Sequence, residues 1–126
     1  MRTTLVIGVA GAFGAVSRHL LEAAVNRHWG DDFPWGTFTV NVSGSFVLGV
    51  LIGVFAHRLN VPLWLQAGAT VGFLGAYTTF STFELETHAL LQDRLSLTAS
   101  AYVIGSFVVG LFAMRAGIAA ARAWLI

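Results

Sequence analysis

Four apolar stretches, at about residues 3–24, 36–56, 63–91 and 95–123, occupy most of this 126-residue chain. A helix needs about 20 mainly apolar residues to cross the roughly 30 Å hydrocarbon layer of a membrane, and each stretch is long enough. Only 10% of the residues are charged, against roughly 25% in a typical soluble domain. The sequence therefore predicts an all-α integral membrane protein, with four transmembrane helices forming a single domain over residues 1–126.

The third stretch contains a polar interruption, GFLGAYTTFST, from Gly72 to Thr82. Backbone groups freed from a helix in lipid cost several kcal/mol each unless they are buried in protein or line a wet cavity. We therefore expect a broken third helix, with the break near residues 75–79, that lines a site or a pathway.

The arginines give almost no signal for orientation in the membrane. The chain has seven basic residues and no lysine, and four crossings would put both termini on one side. The terminal side would then hold Arg2, Arg58, Arg115 and Arg122, and the opposite side Arg18, Arg27 and Arg94. From this near balance we hypothesise that the protein inserts both ways and pairs with an inverted copy of itself.

Asn41 lies in the first half of the second stretch and is expected near mid-membrane, where an amide is costly unless it is bonded across helices or faces water. One interpretation is a hydrogen bond that packs two helices together. The other is that its two N–H donors replace water around an anion. Asn41 alone leaves both open.

Phe80 and Phe83 are three residues apart, so a helix would put them on one face, and Glu86 continues that face one turn later. Aromatic residues at this spacing usually belong to a core. An aromatic ring also has a positive edge, which can attract a small anion weakly enough to release it. Ser81 and Thr82 could add hydroxyl donors, although such hydroxyls more often bond back to the helix backbone.

The fourth stretch carries a polar and small stripe of Tyr102, Ser106 and Gly110 at spacings of four. We expect this stripe to face protein and not lipid.

The break also exposes carbonyl oxygens, with Gly75 and Thr78 as candidates, and such carbonyls are good ligands for a hard cation such as Na⁺. The alternative is a kink satisfied by neighbouring side chains and water. For Glu84 and Glu86 the alternatives are a proton-exchanging carboxylate and a charge at a helix end or vestibule, and the nearby Asp93 and Arg94 favour the vestibule.

Catalytic and nucleic-acid motifs are absent from the sequence. There is no cysteine, the four histidines have no metal-ligand spacing, and neither a P-loop nor a nucleophile elbow occurs. The scattered arginines form no basic patch. We predict neither an enzyme nor a nucleic-acid partner.

Three segments resemble signatures of one family: GAFGAVSR from Gly11 to Arg18, WGTFTVNVSGSF from Trp35 to Phe46, and GFLGAYTTFSTFELE from Gly72 to Glu86. Together they are similar to the small bacterial fluoride channels often called Fluc or CrcB. The third segment is the most specific, because TTFSTF after a glycine-bearing break is not a generic membrane pattern.

The resemblance implies an antiparallel, dual-topology homodimer in the bacterial inner membrane, with two pores at the subunit interface and passive efflux of fluoride. Asn41, Phe80 and Phe83 would contact fluoride, and a structural Na⁺ would be bound by the carbonyls of Gly75 and Thr78. Further residues match a polar track and its vestibule: Tyr102, Ser106, Ser81 and Thr82 along the track, and Glu86 in the vestibule. The sequence departs from the family pattern at Ala76 and Gly110.

Other membrane functions compete with the channel. A small four-helix multidrug or cation exchanger coupled to protons would need an embedded carboxylate, and the first stretch has none before Glu22 near its end. A subunit that only packs through glycine faces would not explain the polar break. A fluoride–proton antiporter would couple flux through Glu84 or Glu86.

Reporter tags at the C-terminus test the dual-topology hypothesis. Because the arginine balance favours neither orientation, we expect tags on both sides of the membrane. The measurement is labelling of the tag in intact cells and after permeabilisation. A tag found on one side only would contradict dual topology.

Overall fold

The computed structural model describes residues 1–57 and 60–125, and every regular element in these ranges is helical. Helix α1 is Arg2–Trp29, α2 is Trp35–His57, and α6 is Ser96–Leu125. Between α2 and α6 lie α3 (Leu63–Ala67), a π-helical segment (Gly68–Leu74), α4 (Gly75–Tyr77) and α5 (Ser81–Gln92). The all-helical prediction is confirmed for the described residues.

Within the described ranges, α1, α2 and α6 are long and apolar enough to cross a membrane. They contain 28, 23 and 30 residues, whereas about 20 residues suffice for a crossing. The third apolar stretch is divided among four shorter elements, as its polar interruption predicted. Arg58, one of the arginines used for orientation, lies outside the described residues.

The outer face of α1 is apolar and exposed in the single chain. Five large side chains at spacings of three and four residues are each 58–67% exposed: Leu5, Val9, Phe13, Val16 and Leu20. A soluble monomer rarely exposes a continuous apolar face of this kind, and contact with lipid removes its cost.

The tightest packing joins α2 to α6 through glycines. A Cβ added at Gly49 would collide with the backbone of Met114, and one added at Gly117 would collide with the backbone of Phe46. In a membrane, where no hydrophobic effect drives helices together, such close backbone contact supplies much of the packing energy. Helix α1 packs in a similar way against the π segment, where Gly14 meets the backbone of Phe73.

Both prolines of the chain stand just before helices, and their fixed φ suits a helix start. Pro34 precedes α2 and accepts a hydrogen bond from the Phe38 amide, and Pro62 precedes α3 and accepts from Leu65. Helix α5 ends in a turn in which Arg94 has φ 60° and the Leu95 amide donates to the Leu90 carbonyl.

The polypeptide leaves helical geometry at Thr78, whose ψ is 157°, and re-enters it at Ser81. The predicted break at residues 75–79 therefore overlaps the observed one, although residues 75–77 are still helical. Asn41 of α2 reaches the backbone of Thr79 in the gap between α4 and α5.

Candidate functional site

An open groove of about 570 Å³ runs along α2, the broken third stretch and α6. Its lining residues are Asn41, Gly44, Ser45, Leu48, Thr70, Leu74, Gly75, Thr78, Thr79, Phe80, Phe83, Val103, Ser106 and Phe107. None of these described residues is charged. A groove of this composition offers neutral donors and ring edges to a ligand, and apolar walls between them.

Asn41 holds the helix break in place. Its Nδ2 donates to the Thr79 carbonyl at 3.0 Å, and its Oδ1 accepts from the Thr79 amide at 2.8 Å. Thr79 is 9% exposed, so water cannot readily replace these bonds. The amide side chain therefore satisfies both backbone groups of the residue at which the helix is interrupted.

These bonds support the packing interpretation of Asn41 and leave room for the anion-binding one. One N–H of its Nδ2 is used on the backbone, as the packing interpretation predicted. An amide nitrogen carries two N–H donors, so a second one remains on a side chain that lines the groove.

The carbonyls of Gly75 and Thr78 have each lost their usual helical donor. In a continuous helix the Thr79 amide would bond Gly75 and the Thr82 amide would bond Thr78. Instead, the Thr79 amide donates to Asn41 Oδ1 and the Thr82 amide donates to Thr79 Oγ1 at 3.3 Å. Both residues line the groove, and their freed carbonyls are chemically suited to a hard cation.

Phe80 and Phe83 are neighbours, with ring centroids 6.1 Å apart and ring planes inclined by 40°. Phe80 is the last residue before α5 and is 72% exposed in the single chain, whereas Phe83 is half-buried on the first turn. Phe83 also meets the Tyr102 ring at 4.9 Å. The predicted pairing of the two phenylalanines is therefore present, along one edge of the groove.

Glu86 lies outside the groove and is held by two hydroxyls. Thr37 Oγ1 donates to Oε1 at 2.6 Å, and the Tyr102 hydroxyl donates to Oε2 at 2.8 Å. Thr37 and Tyr102 are 3% and 0% exposed, so these donors come from the protein interior. Hydrogen bonds to a carboxylate are among the stronger ones, and this pair ties α2, α5 and α6 together.

Ser106 presents a hydroxyl that is buried and, among the described residues, lacks a hydrogen-bond partner. It lines the groove on α6, one turn from Tyr102. A buried polar group without a partner is costly, which points to a water or a small ligand beside this hydroxyl. Gly110, the next position of the stripe, lies against Ser45. A Cβ added at Gly110 would be 3.6 Å from Ser45 Oγ.

Three of the four predicted track residues do not line the groove, among them Tyr102, whose hydroxyl bonds Glu86. Ser81 is exposed, and Thr82 Oγ1 accepts a bond from Thr79 Oγ1 at 3.1 Å. Sequence reasoning assigned no role to Thr37 or Thr79. Thr37 had a signal, since it stands one helical turn before Asn41 on α2 and therefore on the same face.

An Asn41→Leu variant is expected to destabilise the break, because both backbone groups of Thr79 lose a partner in a buried setting, at about 1–3 kcal/mol each. The measurement is hydrogen exchange of peptides covering residues 75–83 in detergent. Ser45→Ala is the matched control on the same helix, because Ser45 Oγ donates only to the Asn41 carbonyl. Equal protection in both variants would contradict the role given to Asn41.

Comparison with known proteins extends over almost the whole chain. The family model described as CrcB-like protein, Camphor Resistance (CrcB), matches residues 5–118. A protein of Nitrobacter winogradskyi named Fluoride-specific ion channel FluC is 41% identical over 97% of this chain and 98% of its own length.

Two further relatives carry the same name. The protein of Hahella chejuensis is 46% identical over 92% of this chain and 91% of its own length. The protein of Geobacter sulfurreducens is 44% identical over 97% of this chain and 98% of its own length. The resemblance that the three segments indicated is thus confirmed over nearly the full chain.

Proposed function

The chain belongs to the CrcB family, and from that membership we propose that it is a fluoride-selective ion channel and not an enzyme. It would let fluoride leave the cell passively, down its electrochemical gradient. The observation that carries this proposal is the match of 97% of the chain, at 41% identity, to a relative named as a fluoride-specific channel.

The neutral groove supports a fluoride pathway. Fluoride is small and strongly hydrated, so a pore must replace its water in steps without holding it too tightly. Asn41, Ser106, Phe80 and Phe83 line the groove. Asn41 keeps a second N–H, Ser106 has a hydroxyl, and each phenylalanine ring has a positive edge. These groups supply donors and weak positive potential without a fixed cation that would trap the ion.

The N-terminal end of α5 adds to this potential. Helix α5 has 12 residues and begins at Ser81, beside the groove. The partial positive charge of a helix N-terminus favours an anion nearby. Glu86, held by Thr37 and Tyr102, would sit in the vestibule at the outer end of the pathway.

Two copies are needed to close the pathway. The groove, which Ser106 also lines, is open along one side in a single chain. We propose that the broken third stretch makes a fourth crossing and that an inverted second copy covers the groove. A two-fold axis would then produce two equivalent pores.

The freed carbonyls support a structural Na⁺ at the centre of such a dimer. Gly75 and Thr78 supply two carbonyls per copy, and a two-fold axis between them would double the set. When bound, the ion supplies a fixed positive charge that offsets the cost of an anion in the membrane. The carbonyls of Gly75 and Thr78 are free of their helical donors, because the amides of Thr79 and Thr82 donate to the side chains of Asn41 and Thr79.

The proposed location is the bacterial inner membrane, and the partners are fluoride, lipid and a second copy of the chain. The alternative is a small four-helix multidrug or cation exchanger coupled to protons. Such an exchanger needs a carboxylate in the substrate path, whereas the described lining of the groove contains none. Proton-driven cation uptake by the reconstituted protein would favour it.

Fluoride efflux from liposomes tests the channel. We expect wild type to release fluoride and retain chloride, and Phe80→Ile to lower the fluoride rate by about tenfold or more, or about 1.4 kcal/mol, because the ring edge is lost. Phe13→Ile is the matched control, since Phe13 is similarly exposed, 67% against 72%, but lies on α1 away from the groove. Absence of fluoride release from well-folded wild type would contradict the proposed function, and equal rates in both variants would remove Phe80 from the pathway.

Withdrawal of Na⁺ tests the proposed cation. In protein purified and assayed with N-methylglucamine, which is too large for a carbonyl site, we expect a lower melting temperature and slower fluoride efflux. Restoring Na⁺ should reverse both changes. Identical melting and efflux with and without Na⁺ would contradict the site.

A further inference from the structure

A row of aromatic rings connects the loop between α1 and α2 to the groove. Phe33, in this loop, meets the Tyr102 ring at 5.2 Å with planes at 80°, an edge-to-face contact. The Tyr102 ring meets Phe83 at 4.9 Å, and Phe83 meets Phe80 at 6.1 Å. The row therefore begins at a residue outside the groove and ends at the two phenylalanines that line it.

Tyr102 is the central member of the row and is completely buried. Its ring lies between Phe33 and Phe83, and its hydroxyl donates to Glu86 Oε2 at 2.8 Å. A buried ring has no freedom beyond what its neighbours allow, because interiors are closely packed. The direction of the hydroxyl thus depends on the two rings that contact Tyr102.

Besides Tyr102, the ring of Phe33 packs most closely against Trp35 of α2 and only loosely against Phe38. Its ring centroid lies 4.5 Å from that of Trp35 and 6.0 Å from that of Phe38, and Trp35 also meets Trp29 at the end of α1 at 5.2 Å. Phe33 stands between helices, so side-chain packing and not helical hydrogen bonding determines where its ring lies.

We infer that Phe33 is a positioning residue of the fluoride pathway, which acts through Tyr102. Its ring keeps the Tyr102 hydroxyl on Glu86 and the Tyr102 ring against Phe83. The inference rests on the proposed channel function, and it assigns to the α1–α2 loop a role in conduction.

Removing the Phe33 ring leaves a void beside Tyr102. The ring of Tyr102 can then tilt into this void, which lengthens the hydroxyl contact to Glu86 and withdraws support from Phe83. Because an edge-to-face pair orients both of its rings, Phe33→Ala is expected to lower fluoride efflux by about threefold or more.

Phe38→Ala is the matched control, because it removes the same volume from the same cluster while the Phe33–Tyr102 contact stays. We expect Phe38→Ala to keep most of the wild-type rate, and Phe33→Leu, which refills the void, to recover most of it. If Phe33→Ala and Phe38→Ala reduced efflux equally, the cluster would be merely structural and the inference would be wrong. Where the alanine variants do not assemble, Phe33→Val and Phe38→Val replace them with the same expectation.

A double-mutant cycle separates positioning from general stability. In a Tyr102→Phe background there is no hydroxyl to position, so adding Phe33→Ala is expected to change the remaining efflux by less than it does in wild type. If the efflux of the double variant were reduced by the product of the two single-variant factors, the inference would be overturned.

A second readout does not depend on transport. The chain has two tyrosines, so protein labelled with 3-fluorotyrosine gives two ¹⁹F signals, which a Tyr77→Phe variant assigns. The Tyr102 signal is expected to shift more in Phe33→Ala than in Phe38→Ala. If wild type released no fluoride, the proposed function would fail, and this signal would still decide whether Phe33 positions Tyr102; equal shifts would overturn the inference.

Discussion

The two hydrogen bonds between the Asn41 side chain and the backbone of Thr79 are the contact on which the rest of the structure depends. A chain in lipid cannot leave backbone groups unpaired, which is why spanning segments are normally continuous helices. By bonding both the amide and the carbonyl of Thr79, Asn41 allows the third apolar stretch to stop and restart. The Asn41 side chain on α2 thus provides the hydrogen-bond partners that the backbone of the broken helix lacks.

The break places groups that suit a cation and groups that suit an anion within a few residues of each other in the chain. Diverting the amides of Thr79 and Thr82 frees the carbonyls of Gly75 and Thr78, which suit a cation. A few residues later, the start of α5 and the edges of Phe80 and Phe83 suit an anion. The proposed fixed cation and the proposed mobile anion would therefore both bind at one interruption of a helix, with no charged residue in the described lining of the groove.

Much of this architecture could be predicted from the sequence, because the signals are local. Apolar length predicted the helices α1, α2 and α6, and glycines with hydroxyl residues predicted the break. Asn41 was identified as functional or structural, but a single sequence could not say that its amide bonds Thr79, since 38 residues separate the two.

The hydrogen bonds around Glu86 could not be predicted either, because they join residues that are far apart in the sequence. Thr37, Glu86 and Tyr102 come from three helices, and only packing brings their oxygens within 2.6–2.8 Å. The hydroxyl of Thr82 was predicted for the pathway, and that role stays a prediction; the sequence did not indicate that it accepts a hydrogen bond from Thr79. Phe33 was not among the predicted site residues, because its contact with Tyr102 depends on how the α1–α2 loop packs against α6.

The measurement that most directly tests passive fluoride conduction is the reversal potential of the fluoride current in planar lipid bilayers. A fluoride gradient would be combined with an opposing pH gradient, both sides being neutral or mildly alkaline so that little HF forms. A passive fluoride channel reverses at the Nernst potential of fluoride, whatever the pH difference. A reversal potential that moves with the pH gradient would mean that protons travel with the ion, and would contradict a channel.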